Sequence, residues 1–408
     1  MTSVEVVRTR CCVVGGGPAG VMAAALLARA GVDVVVLEKH GDFLRDFRGD
    51  TVHPSTMDLL GELGWLGDFL SRPHQELERI RAHVGSEEIT LGDFRHLSTR
   101  TRFIALMPQR DFLDFLVEHA RVFPSFSIRM NTEVLAPIEE GGRVVGVRAQ
   151  AGGVPIEVRA DLVIAADGRH SRLREAAGLR TRTIGSPIDV LWMRLPSREG
   201  DPTDSLGWVQ PGRMMILLER GDYWQCALVI RKGEFEALKT AGIEAFRRDI
   251  ADTVPFLADR VQALGGFDDV KLLVVTIDRL KRWWRPGLLF IGDAAHAMSP
   301  IGGIGINLAI QDAVAAANIL SAAFTQGAPT DEQLARVQAR RELPTRATQA
   351  LQAAIQNRVI RRVLASGAHQ LHPNAALRLI DRVTLLQGIP ARIVGVGFRP
   401  EHVEARLA

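Results

Sequence analysis

LLFIGDAAHAMSPIGGIGINLAIQD, residues 288–312, is the stretch around which the rest of the chain is organised. Leu288 to Ile291 are apolar and suit a short buried strand. Gly292 and Asp293 break that strand and leave a carboxylate at its tip, facing whatever is bound there. Pro300, Gly302, Gly303 and Gly305 follow with little side-chain bulk, so a flat ligand can lie against bare backbone. Asn307 to Leu320 is Ala-rich, with Leu308, Ile310, Val314 and Leu320 along it, and reads as a helix. Its N-terminus would aim backbone N–H groups and the positive end of the helix dipole at the ligand. That arrangement suits a planar group that becomes anionic.

The N-terminal residues supply a second such site. Thr9 to Val14 is a β-type run that meets Gly15-Gly-Gly-Pro-Ala-Gly20, with Gly15, Gly17 and Gly20 in G-x-G-x-x-G register and Pro18 and Ala19 inside the turn. Val21 to Ala30 reads as a helix stopped by Gly31, and Val32 to Leu37 as a second strand ending at Glu38 and Lys39. The glycines allow a pyrophosphate to approach the helix N-terminus, and Glu38 is placed to accept hydrogen bonds from a ribose hydroxyl pair. A third strand, Asp161 to Ala166, ends in Asp167-Gly168, with Ser171 and Arg174 close behind. A carboxylate and a glycine at a strand's C-terminal end face the ligand in an open α/β sheet.

Between these blocks the pattern is mixed. The loop from Phe47 to Thr56 carries Arg48, placed to reach a pyrophosphate or ring edge, and His53, a candidate proton acceptor; it leads into a helix near Thr56 to Leu63. Arg79 to Val84, Glu88 to Leu91 and Thr101 to Met107 look like parts of a separate sheet. Gln109 opens a helix running to about Arg121. Ser127 to Val134, Val144 to Ala149 and Ile156 to Ala160 read as a small antiparallel meander. From about Thr181 to Ile277 the runs are mainly β, with a helical interlude near Phe235 to Ala251; this is the candidate substrate-covering sheet. Trp192, Met215, Tyr223 and Gln225 on it are the substrate-facing candidates. Asp331 to Val363 is helix-patterned around Pro344. The tail beyond Arg358 is rich in arginine and poor in acids, which reads as a solvated or subunit-facing surface, with contact to anionic lipid as the alternative.

Composition bounds the function. The chain has 408 residues, 47% hydrophobic and 24% charged, with a net charge of +3, enough for two to three domains and too mild for a nucleic-acid binder. Cys11, Cys12 and Cys226 lack metal-ligand spacing and point to a reducing, cytoplasmic setting with no metal site. The N-terminus has no apolar core of signal-peptide length before the first strand, and no apolar run reaches about 18 residues, so neither an export signal nor a membrane span is expected.

Taken in order, Gly15-x-Gly-x-x-Gly20 with Glu38, Asp167-Gly168 with Ser171 and Arg174, and Gly292-Asp-Ala-Ala-His296 with Pro300, Gly303, Gly305 and Asn307 resemble the single-component (class A) FAD-dependent aromatic hydroxylases, the family of p-hydroxybenzoate hydroxylase and the ubiquinone-pathway hydroxylases. The likeness covers roughly residues 9–325. It implies an α/β fold: a FAD-binding Rossmann-like domain of the glutathione-reductase type, an inserted, mainly antiparallel substrate sheet, and C-terminal helices. The expected division is residues 1–75, 106–180 and 278–330 for the FAD-binding domain, 76–105 and 181–277 for the substrate domain, and 331–408 for the helical region.

The resemblance also implies cofactor residues. Gly15, Gly17, Pro18, Ala19, Gly20, Glu38 and Lys39 would hold the ADP half of FAD. Asp293 would bind the ribitol, and Pro300, Gly303, Gly305, Ile306 and Asn307 would line the isoalloxazine. Arg48 and Gln109 match positions that contact flavin, and Asp167-Gly168 belongs to the motif linked to both FAD and NAD(P)H. NADH or NADPH would dock transiently, and an electron-rich aromatic or quinone-like substrate would take one oxygen atom from O2 through a C4a-hydroperoxyflavin. Tyr223 and His53 are the candidate bases, and His296 supports its loop. Two other classes compete: an FAD-dependent reductase or dehydrogenase of a C=C bond, and a non-catalytic flavoprotein that sequesters a ligand. The Trp-x-Trp-x-Ile-Pro signature of flavin halogenases is absent. The chain is expected to act as a monomer or homodimer.

Overall fold

Ten residues with a buried C-terminal half form the first strand, β1 (Glu5–Val14), and the chain turns at once into α1 (Pro18–Arg29). Pro18 occupies the first helical turn, where a missing N–H costs nothing. β2 (Val34–Leu37) returns beside β1 and completes a βαβ unit. The computed structural model describes residues 4–44, 50–202, 206–366 and 371–404, apart from the Leu206 side chain; Arg48 lies outside these residues.

Next come α2 (Pro54–Glu62), the hairpin β3 (Arg79–Val84) and β4 (Glu87–Asp93), α3 (Gln109–Ala120) and β5 (Phe126–Arg129). Then β6 (Thr132–Glu140), β7 (Arg143–Ala151) and β8 (Val154–Ala165) run antiparallel to one another. β9 (Ile188–Pro196), β10 (Leu206–Gln210), β11 (Arg213–Glu219) and β12 (Tyr223–Arg231) lead to α4 (Phe235–Ala241) and α5 (Ile243–Thr253). The short strands β13 (Lys271–Leu273), β14 (Trp284–Arg285) and β15 (Leu288–Phe290) precede α6 (Ile304–Gln326) and α7 (Asp331–Ile355). A π-helical turn, Gln356–Ile360, joins α7 to α8 (Arg361–Ala365), and α9 (Ala375–Arg382) and α10 (Thr384–Gly395) close the chain.

Two large sheets result. The first has eight strands, with β14-β15-β8-β1-β2-β5 in line and β7 and β6 attached along β8. Its central strands are parallel and buried on both faces, which is why Val13, Val36, Ile164 and Leu289 read as unbroken apolar runs. The second has seven strands in the order β13-β9-β12-β11-β10-β3-β4. α4 and α5 cover one face of it through Phe235, Phe246 and Ile250, and the other face is turned to the interior of the molecule.

Four sequence expectations change. Ser127 to Val134 is two strands, not one, because Asn131 takes a left-handed backbone (φ 52°) and lets β5 pair with β2 while β6 pairs with β7. Ile156 to Ala160 and Asp161 to Ala166 are one continuous strand, β8. From Ile156 to Ala165 it runs parallel beside β1, while its two halves take different partners on the other edge. The meander is therefore part of the main sheet. α6 starts three residues earlier than expected and runs to Gln326, long and apolar enough to cross a membrane by composition, but 83% of that apolar window is buried in the fold. It serves as the core helix against α1 and β15.

Close packing makes the first turn intolerant of side chains. A Cβ at Gly20 would lie 2.0 Å from the Gly15 carbonyl oxygen. Gly20→Ala should therefore lower stability by more than about 2 kcal/mol in urea unfolding, since the clash is with backbone and cannot be relieved by rotamer change. A variant as stable as the parent would contradict this packing.

Candidate functional site

The register of the main sheet brings its parallel strands to a common end. Val14 is level with Leu37 and with Ala165, and Ala165 is level with Phe290. The residues that follow these ends are Gly15-Gly-Gly17, Glu38, Asp167-Gly168 and, past Gly292, Asp293, and all of them line one cleft. The cleft has a volume of about 1440 Å³ and opens between this edge and the second sheet. Ligands in open α/β folds bind at this edge of the sheet, beyond the carboxyl ends of the strands.

Each tip is held by its own hydrogen bonds. Glu38 Oε2 accepts from the Gly16 N–H (2.8 Å), and Oε1 accepts from the His40 N–H (3.0 Å) and lies 2.6 Å from His40 Nδ1. Asp167 is half-buried, and desolvation pushes its carboxyl above the usual carboxylate range. Its Oδ1 has no hydrogen-bond partner among the described residues. Asp293 is half-buried and lies 3.4 Å from Arg169. A Cβ added at Gly17 or Gly168 would meet no atom within 4 Å, so both glycines present open backbone.

The turn carrying Asp293 is fixed from behind. Asp312, on α6 and fully buried, accepts from the Gly292 N–H (3.1 Å), His296 Nε2 (2.6 Å) and Arg341 Nε (3.0 Å). These partners outweigh its desolvation and hold its pKa below the usual carboxylate range. Gly292 itself has φ +59°, and a Cβ there would come within 3.0 Å of Ala19 and 3.3 Å of Ala309. α1, α6 and this turn thus meet at one residue.

The facing wall is apolar. Alternate residues of the second sheet, among them Ile188, Val190 and Trp192 on β9 and Met214 and Ile216 on β11, line the cleft. Asp50, Arg220 and Gln225 sit where the two sheets approach. Arg220 donates to Gln225 Oε1 (2.9 Å) and lies 3.1 Å from Asp50 Oδ2, while Asp50 Oδ1 accepts from the Gln109 N–H (3.1 Å). Burial raises the Asp50 pKa, opposed first by Arg220. Asp50 and Arg220 were not singled out from sequence. Asp50 stood inside the Arg48 loop, but its partner is 170 residues away and left no local signal.

The structure gathers Gly15, Gly17, Pro18, Ala19, Glu38, Lys39, Gln109, Asp167, Asp293, Pro300, Gly303, Gly305, Ile306, Trp192 and Gln225 around the cleft. Gly20 acts from behind, by close packing. Four expectations are corrected. The Asn307 side chain faces α2 instead, its Oδ1 accepting from the Ser55 and Thr56 hydroxyls. Met215 points into the core under α5, because its neighbours Met214 and Ile216 take the cleft face. Tyr223 opens β12, two residues before Gln225, with the Arg194 guanidinium over its ring, and does not line the cleft. His53 is buried behind the glycines, its Nδ1–H donating to the Val394 carbonyl (2.8 Å) and its Nε2 3.2 Å from the Thr51 hydroxyl. Burial brings its pKa down to about 4, so it is a neutral structural imidazole.

Comparison with known proteins agrees with this geometry. Residues 8–354 match the family model described as FAD binding domain. A 6-methylpretetramide 4-monooxygenase of Streptomyces rimosus is 35% identical over 95% of this chain and 92% of its own length. A para-nitrophenol 4-monooxygenase of Pseudomonas sp. (strain WBC-3) is 27% identical over 78% of this chain and 79% of its own. Among solved structures, p-nitrophenol 4-monooxygenase from Pseudomonas putida DLL-E4 superposes with a TM-score of 0.73 at 22% identity, covering 96% of both chains.

His53 and Asp312 predict how stability depends on pH. The folded state lowers the His53 pKa from 6.5 to about 4, so its contribution is complete above pH 6.5 and is lost as pH falls toward 4. The loss should amount to about 3 kcal/mol. Unfolding followed across this range should show the decline, and His53→Gln should flatten it. The depressed Asp312 pKa acts in the same sense but at lower pH, below the ordinary carboxylate range. Asp312→Ala, which removes one carboxylate from the buried Arg341 and leaves the Gly292 N–H unpaired, should cost about 3–5 kcal/mol. A pH-independent stability between 6.5 and 4 would contradict the His53 assignment.

Proposed function

The chain belongs to the FAD binding domain family, in its branch of single-component flavin-dependent aromatic hydroxylases, and from that premise we propose that the cleft hydroxylates a multi-ring aromatic substrate. The observation that carries the reading is the level convergence of four strand tips opposite a broad apolar sheet face.

The residues present fit FAD. Open backbone at Gly17 and the start of α1 would take the pyrophosphate, and Glu38 the ribose. The orphaned Oδ1 of Asp167 and the half-exposed carboxylate of Asp293 would accept hydrogen bonds along the ribitol side. Pro300 to Ile306, at the N-terminus of α6, would lie against the ring. Bound FAD supplies electron transfer from NAD(P)H and activation of O2.

The chain's own part is positional. The apolar face of the second sheet holds the aromatic body and keeps water out. Asp50 is the cleft carboxylate suited to take a phenolic proton: burial raises its pKa, and Arg220 and the Gln109 N–H keep its oxygens in place. This role replaces the one expected of Tyr223 or His53.

The volume of the cleft exceeds the usual range for small-molecule pockets, about 300–1,000 Å³, which leaves room for a multi-ring substrate beside the cofactor. The similarity to the 6-methylpretetramide 4-monooxygenase supports the same size class. We divide the chain functionally as its sheets divide, with the eight-stranded sheet for FAD, the seven-stranded sheet for substrate, and the C-terminal helices as a closing wall. The three free, buried cysteines and the need for NAD(P)H fit a cytoplasmic setting.

The reading predicts that the holoenzyme with NADH or NADPH transfers one atom of oxygen-18 from labelled O2 into a phenolic multi-ring product, seen by mass spectrometry. Asp50→Asn should lower hydroxylation about 10²-fold while leaving bound flavin in place. Substrate turnover without label incorporation, continuing when oxygen is removed, would favour the reductase reading and overturn this one.

A further inference from the structure

We propose that the substrate carries an anionic group, and that Arg358 and Arg362, where they line the cleft, receive it. The inference rests on the cleft being the substrate site of a flavin hydroxylase, as proposed above.

The cleft does not stop at the ring cradle. It continues over the second sheet from Leu273 on β13 to Ile89 on β4, six strand spacings of about 4.8 Å or roughly 29 Å. The charges along it are unevenly placed. Its carboxylates, Glu38, Asp50, Glu133, Asp167 and Asp293, all come from the first sheet or the loop beside it, and none comes from the second sheet or the C-terminal helices. The π-helical turn after α7 and the helix α8 instead contribute Arg358 and Arg362, both exposed and both lining the cleft. Among the described residues neither has a carboxylate within ion-pair distance.

Two like charges one helical turn apart repel. An anion held between them would relieve that repulsion. They are also held at a set distance from the ring cradle. Arg358 lies in the π-helical turn Gln356–Ile360, a distortion frequent at functional sites. That turn is tied to the stretch beside the ring: Gln356 Nε2 donates to the Ser299 hydroxyl (2.7 Å), and Gln352 Nε2 donates to the Ser299 and Ile301 carbonyls (3.0 Å each). The backbone that carries the arginines is therefore anchored to the flavin-facing loop. A substrate that filled the apolar stretch and placed a carboxylate or ionised enol at the arginines would be held by charge as well as by apolar contact. The sequence alone showed these arginines only as members of a basic tail.

The test compares anthraquinone-2-carboxylate with anthraquinone-2-carboxamide, probes of equal shape that differ in charge. Each is titrated into the holoenzyme, and binding is read from the change in flavin absorbance. The carboxylate should bind about tenfold more tightly than the amide. The double variant Arg358→Gln/Arg362→Gln should lose that preference and bind both probes as the parent binds the amide, whereas Arg358→Lys/Arg362→Lys should keep most of it. Equal affinity of the two probes for the parent, a preference that survives the glutamine variant, or no binding of either probe up to its solubility limit would overturn the inference. A preparation without flavin absorbance would instead overturn the functional reading on which it rests.

Discussion

The carboxylate of Asp312 is the constraint on which the site depends. It lies with no exposed surface between three elements and takes hydrogen bonds from the Gly292 N–H, His296 and Arg341. A lone buried carboxylate would cost several kcal/mol, and only a full set of donors makes it tolerable. Here the donors belong to the turn after β15, to the strand beyond it and to α7. Arg341 in turn meets Glu401, whose N–H is bonded to Gln311, so the end of the chain is drawn into the same cluster. The cluster leaves the Asp293 turn and the start of α6 in one arrangement.

That arrangement matters because the other tips are already fixed by the sheet. Backbone pairing levels Val14, Leu37, Ala165 and Phe290 without help from side chains. Gly15 packs so closely on Ala166 that a Cβ would lie 2.4 Å from its carbonyl oxygen, which brings the phosphate turn and the Asp167 tip together. Asp312 then sets the last tip against α1 through Gly292. The cofactor cleft is thus a product of sheet register and one buried charge cluster. The second sheet adds an apolar wall whose polar edge is the Asp50–Arg220–Gln225 junction.

The parts of the site that could be read from sequence are those where the local backbone demands a residue type. Gly15, Gly17 and Gly20 with Glu38, and Gly292-Asp293 with the glycines before α6, announce themselves because a tight turn and a close approach exclude side chains. The parts that could not be read depend on partners far away in the chain. Met215 and Met214 are equally apolar, and only the register of β11 decides which one faces the cleft. Asn307 sits among ring-lining residues, yet Ser55 and Thr56 draw its amide toward α2. His53 looks like a base until its burial is known. Arg358 and Arg362 become cleft residues only when the glutamines of α7 and the π-helical turn hook onto Ser299.

The central claim is that these tips hold a single FAD, with the Gly15–Gly20 turn and Glu38 gripping its ADP half. Titration of the flavin-free protein with FAD and with FMN, followed by quenching of flavin fluorescence, tests it most directly. The account predicts saturation at one FAD per chain and binding of FMN weaker by at least about 100-fold, a difference of roughly 2.7 kcal/mol for the missing half. Equal affinity for the two flavins, or no saturable binding of FAD, would contradict it.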